Sequence, residues 1–140
     1  MPSPPPSIRL CSAPGRAPAW LPVVVALALT LAPMAAAESV KLLVQSSPLA
    51  GSQYYALASV WTELRIGDRL TLTREPGNAH DRHAVRIDWR GRKLGYVPRA
   101  ENAAVARALD AGEQLEARVS QRRDDSDPWR RVEFEVYLVL

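Results

Sequence analysis

The segment REPGNAHDRHAV, from Arg74 to Val85, contains both histidines of the 140-residue chain. His80 and His83 lie three residues apart, with Asp81 between them. Imidazole nitrogens and carboxylates bind metals, but a zinc site needs three or four ligands in a fixed geometry. The sequence after residue 37 offers no further His and no Cys. We therefore predict no metal site and no cofactor, and we interpret the two histidines as solvated side chains of a turn.

The second chemistry to consider in this segment is hydrolysis. A His-Asp pair such as His80-Asp81 occurs in metal-dependent phosphohydrolases, but those enzymes need further His and Asp ligands that this chain lacks. No serine lies in a Gly-x-Ser-x-Gly motif, which would expose a nucleophile on a sharp turn. The chain also lacks a Gly-rich phosphate-binding loop. We therefore predict no catalytic residues, and hydrolase activity is the least favoured function.

A third interpretation is a loop that presents its side chains to a ligand. Pro76-Gly77-Asn78 is typical of a turn, and Asp81 is well placed to accept hydrogen bonds from backbone N–H groups of its own loop. Arg74, Arg82 and Arg99 could surround an anionic ligand. The alternative for these arginines is a solvated basic rim.

Residues 1–37 have the layout of a signal peptide. Two arginines precede the apolar segment Leu21–Leu31, and Ala35-Ala36-Ala37 forms an A-x-A cleavage signal before Glu38. The apolar segment is short for a membrane span, and the alternative is an uncleaved N-terminal anchor. The sequence thus predicts export, to the periplasm or the medium. It also predicts no stable membrane insertion after cleavage, and one mature domain over residues 38–140.

Removal of the signal peptide changes the charge and the cysteine content. The whole chain has 18 Lys and Arg against 15 Asp and Glu, a net charge of +3. Cleavage removes two arginines, so 16 basic residues face 15 acidic ones and the net charge is +1. An anionic partner would therefore need a local basic patch rather than a global attraction. The only cysteine, Cys11, is also removed, so the mature domain depends on its hydrophobic core and not on a disulfide.

The mature segment shows the apolar alternation of β-strands. The clearest example lies at the C-terminus, where Val132, Phe134 and Val136 alternate with Glu133 and Glu135. Shorter alternations occur in four further segments, Val40–Val44, Leu70–Leu72, Val85–Trp89 and Leu115–Val119. Gly91 separates two such runs and is typical of a hairpin turn, whereas residues 121–131 form a polar hairpin loop. We predict five or six short strands.

One helix is predicted in ENAAVARALDAG, where apolar residues follow at i, i+3 and i+4 from Val105. Glu101 is expected in its first turn, and Gly112 is expected to end it. A second, shorter helix is predicted within Tyr55–Leu64. The fold class is therefore mostly β, a small antiparallel barrel with one or two short helices.

Three motifs resemble those of the HIRAN domain family: RLTLTREPGNAHDRHAV, GRKLGYVPRAEN and the QYY that precedes VW. Their order and spacing are similar to the family from about Val40 to Leu140. The resemblance implies an OB-like β-barrel with flanking helices, in agreement with the strand pattern. It also implies a nucleic-acid-binding module, because in eukaryotic remodelling helicases this domain grips the 3′ end of single-stranded DNA.

The resemblance further implies roles for individual residues. Tyr54 and Tyr55 match the aromatic pair that flanks the terminal base. Asp81 matches the carboxylate that accepts a hydrogen bond from the 3′-hydroxyl. Gly77 and Asn78 match the loop that meets the end nucleotide.

Two more positions, Tyr96 and Arg99, match the polar and basic residues that contact phosphate. The chain departs from the DNA-gripping members where Gln53 replaces a basic residue and where Tyr96 replaces a histidine. The first hypothesis is thus a monomeric module that captures single-stranded DNA ends. The alternative is an exported, non-catalytic interaction domain that binds an envelope protein, a peptide or a glycan. The residue pattern favours the first hypothesis, and the export signal favours the second.

Overall fold

The computed structural model describes residues 37–140 and the isolated positions 3, 6, 7 and 15. The predicted signal peptide therefore lies outside the described residues, apart from those positions and Ala37. The chain divides into two units, Met1–Ala35 and Ala36–Leu140, and the second is described below. Within this described part, no helix has the length and the apolar character needed to cross a membrane.

Six strands form one antiparallel sheet with the order β1-β6-β5-β2-β3-β4. Their bounds are β1 Lys41–Pro48, β2 Arg69–Arg74, β3 Val85–Trp89, β4 Arg92–Tyr96, β5 Leu115–Arg122 and β6 Val132–Val139. Strand β2 pairs with both β3 and β5, so it connects the two halves of the sheet. Every predicted strand segment is present, and the long polar loop between β5 and β6 lies where the sequence predicts it.

The chain just after β1 pairs with β4, at the other end of this strand order. Ala50 N donates to Tyr96 O at 3.0 Å, and Tyr96 N donates to Ala50 O at 2.9 Å. This isolated antiparallel bridge joins the segment that follows β1 to the last residue of β4. The predicted class, a mostly β, OB-like antiparallel fold with short helices, is confirmed.

The alternating residues fill one hydrophobic core. Val85, Ile87 and Trp89 of β3 are buried, as are Phe134 and Val136 of β6. The first predicted strand differs. A register shift between Leu43 and Gln45 interrupts its alternation, and the apolar side chains before that shift are about half exposed.

Two α-helices and two 3₁₀ turns complete the fold: α1 Leu57–Val60, α2 Asn102–Asp110, and the turns Ser52–Tyr54 and Pro128–Arg130. Both predicted helices are confirmed, and Gly112 ends α2 with a φ of +77°. Glu101 was expected in the first turn of α2 but occupies its N-cap position. Its carboxylate accepts a hydrogen bond from the buried Ser47 hydroxyl, which anchors the start of α2 to β1.

The β3–β4 hairpin turn follows the sequence prediction. Arg90 and Gly91 have φ values of +47° and +78°, the left-handed backbone that a two-residue hairpin turn requires. The turn pairs β3 with β4 antiparallel, with one register shift between Ile87 and Asp88, and the far ends of the two strands carry Val85 and Tyr96.

Candidate nucleic-acid interface

The loop that joins β2 to β3 is held in shape by its own side chains. Its base is closed by the Glu75 N–H, which donates to Ala84 O at 3.0 Å. The Asn78 side-chain oxygen accepts from the backbone N–H groups of His80 at 2.9 Å and of Asp81 at 3.3 Å. These local bonds are the reason that Asn and Asp favour turns. The loop is therefore organised before any ligand arrives.

Asp81 is fixed at the centre of this loop. Its Oδ1 accepts from the His83 backbone N–H at 2.9 Å, which confirms the predicted loop cap. Its Oδ2 accepts from Nδ2 of Asn102 at 2.6 Å, and Asn102 is only 2% exposed. Burial raises the pKa of the Asp81 carboxyl, but these two hydrogen bonds and the charges of Arg99 and His83 outweigh burial and lower it. Asp81 is thus a carboxylate at neutral pH.

The opposite wall depends on a close approach between two backbone segments. A Cβ on Gly95 would lie 2.4 Å from the carbonyl oxygen of Ala50, so only glycine permits the bridge between Ala50 and Tyr96. Gly51 follows with a φ of +70° and turns the chain into the 3₁₀ turn that leads to Tyr55. The rings of Tyr55 and Tyr96 then meet edge to face, with centroids 5.9 Å apart.

Lys93 lies against both rings. Its Nζ is 4.1 Å from the centroid of Tyr55 and 4.4 Å from that of Tyr96. It donates to Tyr96 Oη at 2.6 Å, and Tyr96 Oη donates to Glu75 Oε2 at 2.9 Å. Asn78 Nδ2 donates to the same Glu75 oxygen at 3.1 Å, so this polar chain connects β4 to the β2–β3 loop.

The protonation states along this chain follow from its contacts. Burial lowers the pKa of Lys93, but the hydrogen bond to Tyr96 and the nearby tyrosines outweigh it and raise the pKa. Burial raises the pKa of Glu75, but its bonds to Asn78 and Tyr96 and the charges of Lys93 and Arg86 outweigh burial and lower it. Burial and the bond to Glu75 raise the pKa of the Tyr96 phenol. At neutral pH the chain is therefore an ammonium, a neutral phenol and a carboxylate.

A cavity of about 270 Å³ opens between the loop and the tyrosine wall. Five of the seven predicted site residues line it: Tyr55, Asn78, Asp81, Tyr96 and Arg99. They come from the chain after the first 3₁₀ turn, the β2–β3 loop and the end of β4 with the residues after it. The structure therefore brings these sequence-distant residues together in one place.

The other two predicted residues do not line this cavity. The side chain of Tyr54 is 77% exposed and lies outside the lining. Gly77 is exposed in the turn between Pro76 and Asn78. Arg74, expected beside an anion, instead pairs with Asp110 at 3.1 Å and donates to Ala84 O.

Three residues of the site were not identified from the sequence. His80, interpreted as a solvated turn residue, lines the cavity. Its position between Asn78 and Asp81 was the available signal. Lys93 supports the two tyrosines, and Asn102 holds Asp81. Asn102 lies far from Asp81 in the sequence, and Lys93 lies far from Tyr55, so no local pattern indicates these two contacts, whereas Lys93 and Tyr96 are three residues apart on one strand.

The site shows no arrangement suited to a metal. Across residues 37–140, no three His, Cys, Asp or Glu side chains cluster closely enough to hold an ion. His80 and His83 share their loop with Asp81, but the Asp81 oxygens accept hydrogen bonds from His83 N–H and from Asn102. The site can stack a planar group and accept or donate hydrogen bonds.

Comparison with known families identifies the domain. The family model described as HIRAN domain matches residues 42–140. The chain belongs to the HIRAN domain family. Membership in the HIRAN family supports a nucleic-acid-binding module, and the matched residues include every side chain of the site. No curated protein matches the chain.

Two solved structures resemble this HIRAN domain. A crystal structure of a protein from Lactobacillus plantarum is similar with a TM-score of 0.62 and 25% identity, over 72% of this chain and 97% of that chain. The crystal structure of the HIRAN domain of human HLTF is similar with a TM-score of 0.50 and 19% identity, over 71% of this chain and 77% of that chain. The second likeness is one of fold alone.

Proposed function

We propose that this HIRAN domain binds the 3′ end of single-stranded DNA, with the terminal nucleotide in the cavity between the β2–β3 loop and Tyr55. One observation carries the proposal. Five of the residues that the family resemblance assigns to DNA recognition line a single cavity, although they come from separate segments of the chain. The cavity combines an aromatic ring, a carboxylate and an arginine, which suit a base, a hydroxyl and a phosphate.

Asp81 selects a chain end. A carboxylate has about four lone-pair sites, and the bonds from His83 N–H and Asn102 use two of them. A free 3′-hydroxyl can donate to one that remains. A 3′-phosphate or a continuing strand would instead place negative charge against the ionised Asp81. The preference is therefore for a strand that ends in a hydroxyl.

Tyr55 and Arg99 supply affinity without reading the sequence. Stacking of a base on an aromatic ring contributes about 1–3 kcal/mol and tolerates every base. Lys93 lies over the Tyr55 ring, and the rings of Tyr55 and Tyr96 pack edge to face, so the orientation of the Tyr55 ring is set before binding. Arg99 is exposed at the rim of the cavity, where a guanidinium can pair with the last phosphate.

We also propose that the domain acts outside the cytoplasm. The support is the N-terminal sequence alone, with its apolar segment and the A-x-A signal before Glu38. The ligand would then be single-stranded DNA that is free in, or passing through, the exported compartment.

Fluorescence anisotropy with 5′-labelled oligonucleotides tests this function. A hexathymidylate with a 3′-hydroxyl is compared with the same strand carrying a 3′-phosphate, at low and at physiological salt. We expect the hydroxyl end to bind about tenfold more tightly, the effect of about 1.4 kcal/mol. Equal binding of both ends with a steep salt dependence would reduce the interaction to non-specific electrostatics. No binding even at low salt would favour the envelope-interaction alternative.

A further inference from the structure

A second cavity, of about 470 Å³, adjoins the terminal-nucleotide cavity. The two share part of their walls, including Asn78, Asp81 and Arg99. From there the second cavity extends to Arg82 and to Ala103 at the start of α2. A strand with its last nucleotide in the first cavity can therefore continue into the second without leaving the surface.

The arginines of this second cavity are distinctive. Between residues 37 and 140, every other lysine and arginine either pairs with a carboxylate or donates a side-chain hydrogen bond. Arg82 and Arg99 do neither, and both are exposed. Residues 38–140 have a net charge of only +1. These two guanidinium groups have no direct carboxylate partner, although Arg99 is close enough to Asp81 to lower the pKa of its carboxyl, and they form a local basic patch.

We propose that the second cavity binds the phosphodiester backbone on the 5′ side of the terminal nucleotide, with Arg82 and Arg99 contacting successive phosphates. Guanidinium groups suit this role because their planar donors can pair with two phosphate oxygens. The inference rests on the proposed function, since the end nucleotide in the first cavity determines where the next phosphates lie.

The charges also orient the strand. Asp81 lies at the junction of the two cavities and is ionised. Its carboxylate disfavours phosphate beside it, whereas Arg82, farther along the second cavity, favours phosphate. The hydroxyl end is therefore directed to Asp81 and the charged backbone away from it, along the start of α2. A peptide composed only of acidic residues would gain from the arginines but would have no planar group to stack on the Tyr55 ring.

Arg82→Gln tests the assignment, with Arg92→Gln as the matched control. Arg92 is also exposed, donates to Ser59 Oγ, and lies outside both cavities. The ligands are 5′-labelled hexathymidylates in which one linkage at a time is an uncharged methylphosphonate. We expect one neutral linkage near the 3′ end to weaken wild-type binding about two- to fivefold, the range of an exposed ion pair.

The Arg82→Gln variant should bind the fully charged strand about two- to fivefold more weakly than the wild type does. Its affinity should not fall further when the sensitive linkage is neutral. The slope of log affinity against log salt should become shallower by about 0.7, the value for one phosphate contact on a single strand. The control variant should keep the wild-type response to every linkage. Two results would overturn the proposal: an equal loss of wild-type affinity whichever linkage is neutral, or the same affinities and salt dependence in Arg82→Gln and Arg92→Gln.

The two proposals can fail separately. A wild-type preference for the 3′-hydroxyl without any linkage-specific effect of Arg82 would reject the backbone cavity and retain end recognition. A linkage-specific effect of Arg82 without a hydroxyl preference would retain the backbone cavity and reject end recognition. Binding of hexaglutamate, abolished by Arg82→Gln and accompanied by no DNA binding, would reject both.

Discussion

Replacing Asp81 by asparagine should remove the preference for a 3′-hydroxyl end while preserving the fold. The asparagine oxygen can still accept from the His83 N–H. Its amide nitrogen would face Asn102, whose own amide can turn over and offer its oxygen. Alanine at position 81 would instead leave the buried Asn102 donor unpaired, at a cost of about 1–3 kcal/mol in unfolding free energy. Asparagine is therefore the cleaner perturbation.

The magnitude follows from the contacts of the carboxylate. A hydrogen bond to a charged group contributes about 1.5–3 kcal/mol. Asp81 is half-buried and already accepts two hydrogen bonds, so the lower end applies. A loss of about 1.5 kcal/mol corresponds to roughly a tenfold weaker Kd for the hydroxyl end. The 3′-phosphate end should bind more tightly than before, because the opposing charge is gone. The roughly tenfold wild-type preference for the hydroxyl end should therefore disappear or reverse.

The assay is anisotropy with three hexathymidylates that end in a 3′-hydroxyl, a 3′-phosphate or a 3′-deoxy sugar. Asp110→Asn is the matched control, because Asp110 is an exposed carboxylate of α2 that pairs with Arg74 away from both cavities. It should keep the wild-type order of affinities. A wild-type ratio in Asp81→Asn, with unchanged thermal stability, would refute the role given to the carboxylate.

Further predictions concern other parts of the domain. Tyr55→Ala should weaken the binding of all three oligonucleotides alike, by about 1–3 kcal/mol. Tyr54→Ala should weaken their binding less, since Tyr54 lies outside the cavity; equal losses of affinity in the two variants would contradict this. Gly95→Ala should lower the midpoint of thermal unfolding, because the new Cβ would lie 2.4 Å from the Ala50 carbonyl oxygen. An unchanged midpoint would show that the Ala50 backbone can move away without loss of stability. The preference for a hydroxyl over a 3′-deoxy end should persist from pH 7 to pH 5. Hydrogen bonds and nearby charges outweigh burial and hold the pKa of the Asp81 carboxyl below its ordinary value. The carboxylate is therefore charged at every pH above the ordinary carboxyl pKa, and it loses its charge only as the pH falls through the lowered pKa. Loss of the preference between pH 7 and pH 5 would contradict this. N-terminal sequencing of exported protein should find Glu38 first, and retention of residues 1–37 would contradict cleavage.

Much of this fold follows from local sequence patterns. Alternation predicts β3 and β6 because each side chain of a strand faces the side opposite to its neighbours. Gly91 and Gly112 mark turns that need left-handed backbone, and both glycines have it. The β2–β3 loop was also predictable, since Asp81 caps it through bonds to residues nearby in sequence.

The contacts that complete the site depend on tertiary packing. Arg74 was expected near an anion, but a carboxylate on α2 neutralises it, and the approach of α2 to β2 is not encoded in any short pattern. Asn102 reaches Asp81 for the same reason, because α2 begins beside the loop. Gly95 lies in a strand pattern where glycine is unfavourable. The close approach of the Ala50 backbone carbonyl explains why a glycine is needed at this strand position.

A crystal structure of residues 38–140 with a 3′-hydroxyl tetrathymidylate would test end recognition most directly. We predict that the last base stacks on Tyr55 and that the 3′-oxygen lies within about 3 Å of an Asp81 carboxylate oxygen, the distance of an O–H···O hydrogen bond. The preceding phosphates should follow Arg99 and Arg82. A strand that crosses the cavity without its end at Asp81, or DNA bound on another face, would contradict the account.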